Sequence, residues 1–206
     1  CPVLLFLILY NLPANAQLDN YTVTRTAPSC GCFTNISGTG TAVTSWLNGA
    51  NDDDNLSSNI TLGFNFVFDG GIQTTFRVST NGFITFNTST SANGGDLPGC
   101  GTVEPYTYDN TVFTTTGRAG TLQTIAPFYN DLICYQFSLN TSMHYQLTGS
   151  APNRVLTIQW RGMANDFSQI DSDCSQTGGN LIFQVKLYET TNNIEFTANN
   201  TLSDGS

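Results

Sequence analysis

The sequence is poor in charge, and its few charges are mostly negative. Charged residues make up 10% of the 206 positions, far below the roughly 25% that is typical of soluble domains. Six Lys and Arg stand against fifteen Asp and Glu, which gives a net charge of −9 at pH 7. Nucleic acids and anionic membrane surfaces are bound by clusters of basic residues, and here the arginines are scattered singly. We therefore expect neither as a partner.

Lysine and glutamate are especially scarce, with one lysine and three glutamates in the whole chain. Long solvent-exposed helices are rich in these residues, so such helices are not expected. The chain is nevertheless 39% hydrophobic and 12% aromatic, which is enough for the core of one domain. This composition favours strands and turns.

Catalytic motifs are also missing. The sequence contains no Gly-x-Ser-x-Gly elbow, no His-Glu-x-x-His and no phosphate-binding glycine loop. The single histidine, His144, falls in an alternating stretch and is expected to be a surface or half-buried strand residue. Glu104 and Asp131 are the carboxylates to nominate for glycoside hydrolysis, but nothing distinguishes them from ordinary loop acids. We therefore expect a domain that is not an enzyme.

A short apolar run stands at the N-terminus. Residues 3–10 carry no charge, and the run is too short for a membrane span of about 20 residues. Ala14-Asn15-Ala16 follows and fits the rule for signal peptidase cleavage before Gln17. We interpret residues 1–16 as a signal peptide remnant and residues 17–206 as one secreted or cell-surface domain that does not insert into the membrane. Since neither end has the character of a true terminus, we expect a module of a longer polypeptide.

Alternating apolar residues dominate the rest of the chain. Leu62, Phe64, Phe66 and Phe68 share one face of Ile60–Phe68. Further strands are predicted at Tyr21–Arg25, Thr75–Ser79, Phe83–Asn87, Gln123–Phe128, Leu132–Ser138, Met143–Thr148, Arg154–Trp160, Leu181–Tyr188 and Ile194–Phe196. Asn81-Gly82 predicts a hairpin turn in which both positions have positive φ. About ten short strands predict an all-β antiparallel sandwich, with two long loops at 88–120 and 164–180.

Five cysteines remain after Cys1, an odd number for an oxidising compartment. Cys30 and Cys32 are too close to bridge each other comfortably, and Cys100 is one candidate partner for that pair. Cys134 lies in a predicted strand and Cys174 in a loop before another, and we predict a disulfide between them. The spacings do not match those of a zinc site.

The best candidate for an ion site is the acidic run Asp52-Asp53-Asp54, which lies between Asn51 and Asn55. Ca²⁺ takes six to eight oxygen ligands, and a loop of Asp and Asn supplies several of them from few residues. The run lacks the glycine and the closing glutamate of an EF-hand. The alternative is a solvated turn that precedes the next strand. Calcium is the one cofactor that the sequence suggests.

Aromatic residues supply the candidate ligand-binding positions. Trp160 alternates with Leu156 and Ile158, so core packing is expected for it. Tyr106 and Tyr108 lie in the first long loop and are the predicted ligand-binding residues, since long loops on a rigid scaffold often carry binding function. We expect a glycan, or an extracellular matrix or surface protein, as the partner.

Seven Asn-x-Ser/Thr sequons occur along the chain. In a eukaryotic protein they would predict a glycan-coated surface. In a chain this rich in Asn and Thr, we interpret them as chance occurrences.

Five ordered blocks carry a family resemblance. They are Leu62–Gly70, Val78–Phe86, Ile125–Leu132, Gly149–Trp160 and Phe183–Phe196. The chain resembles the N-terminal β-sandwich module of large surface proteins that Bacteroidetes export by the type IX system. More distantly it resembles the extracellular domain of nidogen, which shares the order strand, Asn-Gly, strand and Ala-Pro-Phe-aromatic-x-Asp.

The resemblance implies a non-catalytic extracellular module with a binding or structural role, including adhesion. The bacterial module also accompanies hydrolases. The alternative is therefore an accessory domain of a secreted hydrolase whose catalytic part lies outside residues 1–206.

Overall fold

Ten strands in two antiparallel sheets make up most of the described chain. The computed structural model describes residues 21–24, 33–47, 49, 55–87, 123–130, 132–134, 138–165 and 181–199. The strands are β1 Thr41–Ala42, β2 Ile60–Phe68, β3 Gly71–Val78, β4 Ile84–Thr85, β5 Thr124–Ile125, β6 Leu132–Cys134, β7 Met143–Thr148, β8 Val155–Asn165, β9 Leu181–Tyr188 and β10 Ile194–Ala198. One helical turn, α1, spans Leu139–Ser142. These elements confirm the predicted all-β sandwich.

The larger sheet has six strands and the smaller sheet has four. The larger runs in the order β1-β7-β8-β9-β10, and β6 pairs with the C-terminal part of β8. The smaller runs in the order β2-β3-β4-β5. Among the residues that the structure describes, no helix is long and apolar enough to cross a membrane.

The core lies between the two sheets and follows the predicted alternation. Leu62, Phe64, Phe66 and Phe68 are all buried on one face of β2, while the residues between them are exposed. Their counterparts from the larger sheet are Leu156, Ile158, Trp160, Phe183, Val185 and Leu187. Burying one such side chain stabilises the fold by roughly 1.5–3 kcal/mol relative to exposure. Trp160 is fully buried, which confirms its predicted place in the core.

The strand boundaries differ from the prediction at several places. Tyr21–Thr24 forms no strand, and Val23 is 94% exposed, so the strand predicted there is wrong over its described part. The strand predicted at Gln123–Phe128 is reduced to Thr124–Ile125. Pro127 has no N–H to donate to a neighbouring strand, which explains why β5 ends early. Strand β1 was not predicted, because two residues show no periodicity.

Candidate functional site

The turn between β3 and β4 organises one end of the sandwich. The Ser79 N–H donates to the Phe83 carbonyl over 2.9 Å, so three residues, Thr80, Asn81 and Gly82, form the loop. Gly82 has a φ of 77°, whereas Asn81 does not have a positive φ. The predicted hairpin is therefore confirmed in position, but its geometry is wrong. A three-residue loop needs the left-handed conformation only at its last position.

This turn is buried. Asn55, Ser79, Thr80 and Asn81 have no exposed surface, and together with Gly82 we call them the hairpin hub. The Thr80 hydroxyl accepts from the Asn55 N–H over 2.8 Å, and the Asn81 side-chain carbonyl accepts from the Leu132 N–H over 2.9 Å. Buried polar groups that are hydrogen-bonded in this way hold the backbone in a single arrangement.

A second segment, residues 126–130, lies directly on the hub, and we call it the aromatic loop. The Phe128 N–H donates to the Gly82 carbonyl, and the Asn130 N–H donates to the Asn81 carbonyl, both over 3.4 Å. A Cβ atom on Gly82 would lie 1.8 Å from the Phe128 carbonyl oxygen. The close approach of the two backbones therefore requires glycine at this position.

Phe128 is 40% exposed, although its ring also packs against a buried ring. The ring centroid lies 5.5 Å from that of Phe183, which stacks on Trp160 at 5.0 Å with an interplanar angle of 15°. The Trp160 indole N–H donates to the Ser79 carbonyl over 2.7 Å. The exposed ring is thus connected to the hub through two buried rings.

Two further rings belong to the same part of the surface. Phe83, which follows the hub, and Tyr129, in the aromatic loop, contact each other edge to face at 5.6 Å. Both are half-buried. Tyr129 combines a large apolar ring with a hydroxyl group, which suits it to contact surfaces that are partly hydrated. The arrangement therefore provides a rigid aromatic surface.

Most of the site residues predicted from the sequence lie outside the described residues. These are Asp52, Asp53, Asp54, Glu104, Tyr106, Tyr108, Asp131 and Cys174. Along the chain, Asp54 immediately precedes Asn55 of the hub, and Asp131 stands between Asn130 and Leu132, which both bond to Asn81. Within the described ranges, no group of three or more His, Cys, Asp or Glu could hold a metal ion. The calcium site stays a prediction.

Cys134 is 6% exposed and lies in β6. Its Sγ atom is 3.9 Å from the Sδ atom of Met163 in β8. Because Cys174 is not described, the predicted disulfide between Cys134 and Cys174 stays a prediction.

His144 is more buried than expected. It lies on the outer face of the larger sheet, yet only 6% of the residue is exposed. Burial, followed by the nearby charge of Arg161, lowers the pKa of His144 below its ordinary value of 6.5. The expectation of a surface or half-buried position is therefore wrong, because residues 34–42 bond to this face of the sheet beside His144.

Four sequon asparagines take part in hydrogen bonds of the fold. Asn55 is fully buried, and its side chain accepts from the Leu56 N–H over 2.9 Å. The side-chain carbonyl of Asn35 accepts from Gln159, that of Asn59 from Arg77 and that of Asn140 from Trp46. Because Asn55 has no exposed surface, its sequon could not carry a glycan in this fold. For the other sequons, the interpretation as chance occurrences stays a prediction.

The aromatic loop was missed because the sequence pattern assigns Phe128 to the end of a strand. Its only local signal is Pro127, which ends the strand before Phe128. That the Phe128 ring remains exposed depends on its contacts with Gly82 and Phe183, which are distant in the sequence.

A family model described as NIDO related matches residues 20–206. The chain belongs to the NIDO-related family. This match confirms the nidogen part of the resemblance, and the NIDO-related chain is an extracellular module. No curated protein and no solved structure matches the NIDO-related chain significantly.

Proposed function

We propose that this NIDO-related domain is a non-catalytic binding module of a secreted or cell-surface protein, with adhesion as its role. The observation that carries the proposal is the aromatic loop. Phe128 is 40% exposed, and its position is held by backbone hydrogen bonds and by the rings of Phe183 and Trp160. A large apolar ring that is exposed and also rigid is suited to binding a partner.

Rigidity matters because binding costs conformational entropy. Each side chain that a complex immobilises costs roughly 0.5–1.5 kcal/mol. The Phe128 ring already rests on Phe183, so contact with a partner orders it little further. Interfaces commonly concentrate their binding energy in a few such aromatic anchors.

The chemistry of the surface favours an uncharged partner. The chain has a net charge of −9, so a polyanionic ligand would be repelled. The apolar face of a neutral sugar can lie against an aromatic ring, and so can an apolar side chain of a protein. A neutral glycan or an extracellular protein is therefore the proposed partner.

Two carboxylates of the described residues support the proposal that the module is not an enzyme. Glu189 pairs with Arg154, and Glu195 pairs with Lys186. Both carboxylates hold strands or turns together. Neither has the raised pKa of a general acid, since the pKa of each is lowered by its partners.

A binding screen tests the proposed function. The purified protein would be applied to arrays of neutral and acidic glycans and to immobilised extracellular matrix proteins. We expect binding to a neutral glycan or to a matrix protein, with little change between about 50 and about 500 mM salt, because no charge pairing is involved. Empty arrays together with no cell adhesion, or binding that high salt abolishes, would contradict the proposal.

A further inference from the structure

A row of residues crosses the outer face of the larger sheet. Strand pairing aligns one residue from each of five strands in the order Ala42, His144, Gln159, Gln184 and Thr197. Gln159 and Gln184 have no exposed surface, although they face away from the core. Buried amides need hydrogen-bond partners, and a segment near the N-terminus supplies them.

That segment, residues 34–42, is called the clasp. The Gln159 side-chain carbonyl accepts from the Ile36 N–H over 3.0 Å, and its amide donates to the Asn35 side chain over 2.9 Å. The Gln184 amide donates to the Thr34 carbonyl over 2.7 Å. Beyond Ile36 the clasp turns and ends as β1, where Ala42 pairs with His144. The clasp therefore spans from β9, across β8, to the far side of β7.

His144 lies between the two places where the clasp is attached. Gln159 on one side binds Ile36, and Ala42 on the other side belongs to the clasp itself. The imidazole Nδ1 atom is buried and makes no hydrogen bond to any described atom. A protonated imidazole donates from both nitrogens, so the docked clasp leaves the charged form without a partner at Nδ1.

The charged groups around His144 oppose a further positive charge. Arg161 lies on β8 two residues after Gln159, and its charge acts on His144. On β9 the next outward residue after Gln184 is Lys186, which is paired with Glu195 on β10. The clasp itself carries no charged residue. No described carboxylate is in a position to compensate a charged His144.

We propose that the clasp is released in acid, because protonation of His144 is incompatible with the docked arrangement of residues 34–42. Undocking exposes the imidazole to water and lets solvent screen Arg161. The undocked state therefore binds the proton more tightly, and lower pH shifts the equilibrium toward it.

The direction of the pH dependence follows from the pKa of His144. Because this pKa is lower in the docked state than its ordinary value of 6.5, docking is strongest above about pH 6.5. It weakens as the pH falls below that value and stops weakening below the docked pKa. One proton is taken up on release, so the opening equilibrium changes by at most about tenfold per pH unit.

Amide hydrogen exchange of the intact protein tests this proposal. The reporter is the Ile36 N–H, which bonds to Gln159, and the reference is the Val185 N–H in the core strand β9. After correction for intrinsic exchange, we expect the protection of Ile36 to fall several-fold between about pH 7 and about pH 5.5, with Val185 unchanged. A flat profile for Ile36, or an equal fall at Val185, would overturn the proposal.

Two variants separate His144 from other titrating groups. In His144→Gln the side chain cannot be charged, so the protection of Ile36 should become independent of pH in this range. Arg161→Gln leaves His144 in place and removes the repelling charge, so the fall should become shallower. If the protection of Ile36 kept the same pH dependence in both variants, a group other than His144 would be responsible, and the role of His144 would be refuted.

Discussion

Arg154 and Glu189 join the two hairpin ends of the larger sheet and connect them to the smaller one. The Arg154 guanidinium donates from Nε to one oxygen of the Glu189 carboxylate over 2.8 Å and from Nη2 to the other over 2.5 Å. Its Nη1 donates to the Gly63 carbonyl in β2 over 2.6 Å. The planar guanidinium can bond both partners at once, so the pair is bonded to one carbonyl of β2, the edge strand of the smaller sheet.

Because of this pair, the stability of the folded protein depends on pH in the acid range. Hydrogen bonds from Arg154 lower the pKa of Glu189 from 4.5 to about 2. Since the folded pKa is the lower one, the stabilisation is complete above the unfolded pKa and is lost as the pH falls from about 4.5 toward about 2. We expect Glu189→Gln to lower the urea midpoint at pH 7 and to converge with the wild type near pH 2.

Arg154→Lys is the matched variant, because it keeps the positive charge. A lysine ammonium cannot bridge both carboxylate oxygens and the Gly63 carbonyl in the same geometry. Its urea midpoint should also fall at pH 7. If Glu189→Gln stayed below the wild type by a constant amount from pH 7 to about pH 2, the linkage would be wrong.

A substitution at Gly82 tests the contact between the hairpin hub and the aromatic loop. Gly82→Ala places a Cβ atom 1.8 Å from the Phe128 carbonyl oxygen at a residue with a φ of 77°. Backbone strain and the clash together should cost more than about 2 kcal/mol of unfolding free energy. Chemical denaturation gives the value. Gly38→Ala is the control, since a Cβ atom on Gly38 would have nothing within 4 Å of it, and it should change stability by less than about 0.5 kcal/mol.

The sequence predicts those parts of this fold that depend on local pattern. Leu62, Phe64, Phe66 and Phe68 alternate, and all four are buried as expected. The position of the hairpin at Asn81-Gly82 was also predicted correctly, because the Asn-Gly pair is a local turn signal. The three-residue geometry of this hairpin was not predicted, because it forms where Phe128, from a distant part of the chain, approaches Gly82.

Burial on the outer face of a sheet is equally hard to predict from sequence. The sequence pattern predicts that Gln159 is a polar residue on the outer face. The clasp that covers it bonds through Ile36, which lies 123 positions away in the sequence. Nothing in the pattern around His144 indicates such a cover. The candidate site was missed for a related reason. The sequence pattern assigns Phe128 to a strand, but β5 ends at Ile125, and the contacts that place the Phe128 ring come from Gly82 and Phe183, which are distant in the sequence.

Calcium binding at Asp52, Asp53 and Asp54 remains a prediction with a direct test. These residues precede Asn55, whose position in the hub is fixed, so a bound ion would stabilise the folded state by mass action. We expect millimolar Ca²⁺ to raise the melting temperature relative to EDTA. The effect should vanish when the three aspartates are replaced by asparagine. A melting temperature that is the same in Ca²⁺ and in EDTA would remove the calcium proposal.

The central claim is that the module binds through the exposed ring of Phe128. Phe128→Ser removes this ring, and Ile72→Ser is the matched control because Ile72 is a large apolar residue that is 66% exposed in β3 of the smaller sheet. Both variants should keep the fold, as circular dichroism and thermal melting would show.

The most direct measurement is the dissociation constant of each variant for the partner found in the screen. Loss of a central aromatic anchor typically costs at least about 2 kcal/mol of binding free energy. We therefore predict that Phe128→Ser weakens binding by about thirtyfold or more, while Ile72→Ser binds as the wild type does. Equal affinities for Phe128→Ser and the wild type would contradict the account.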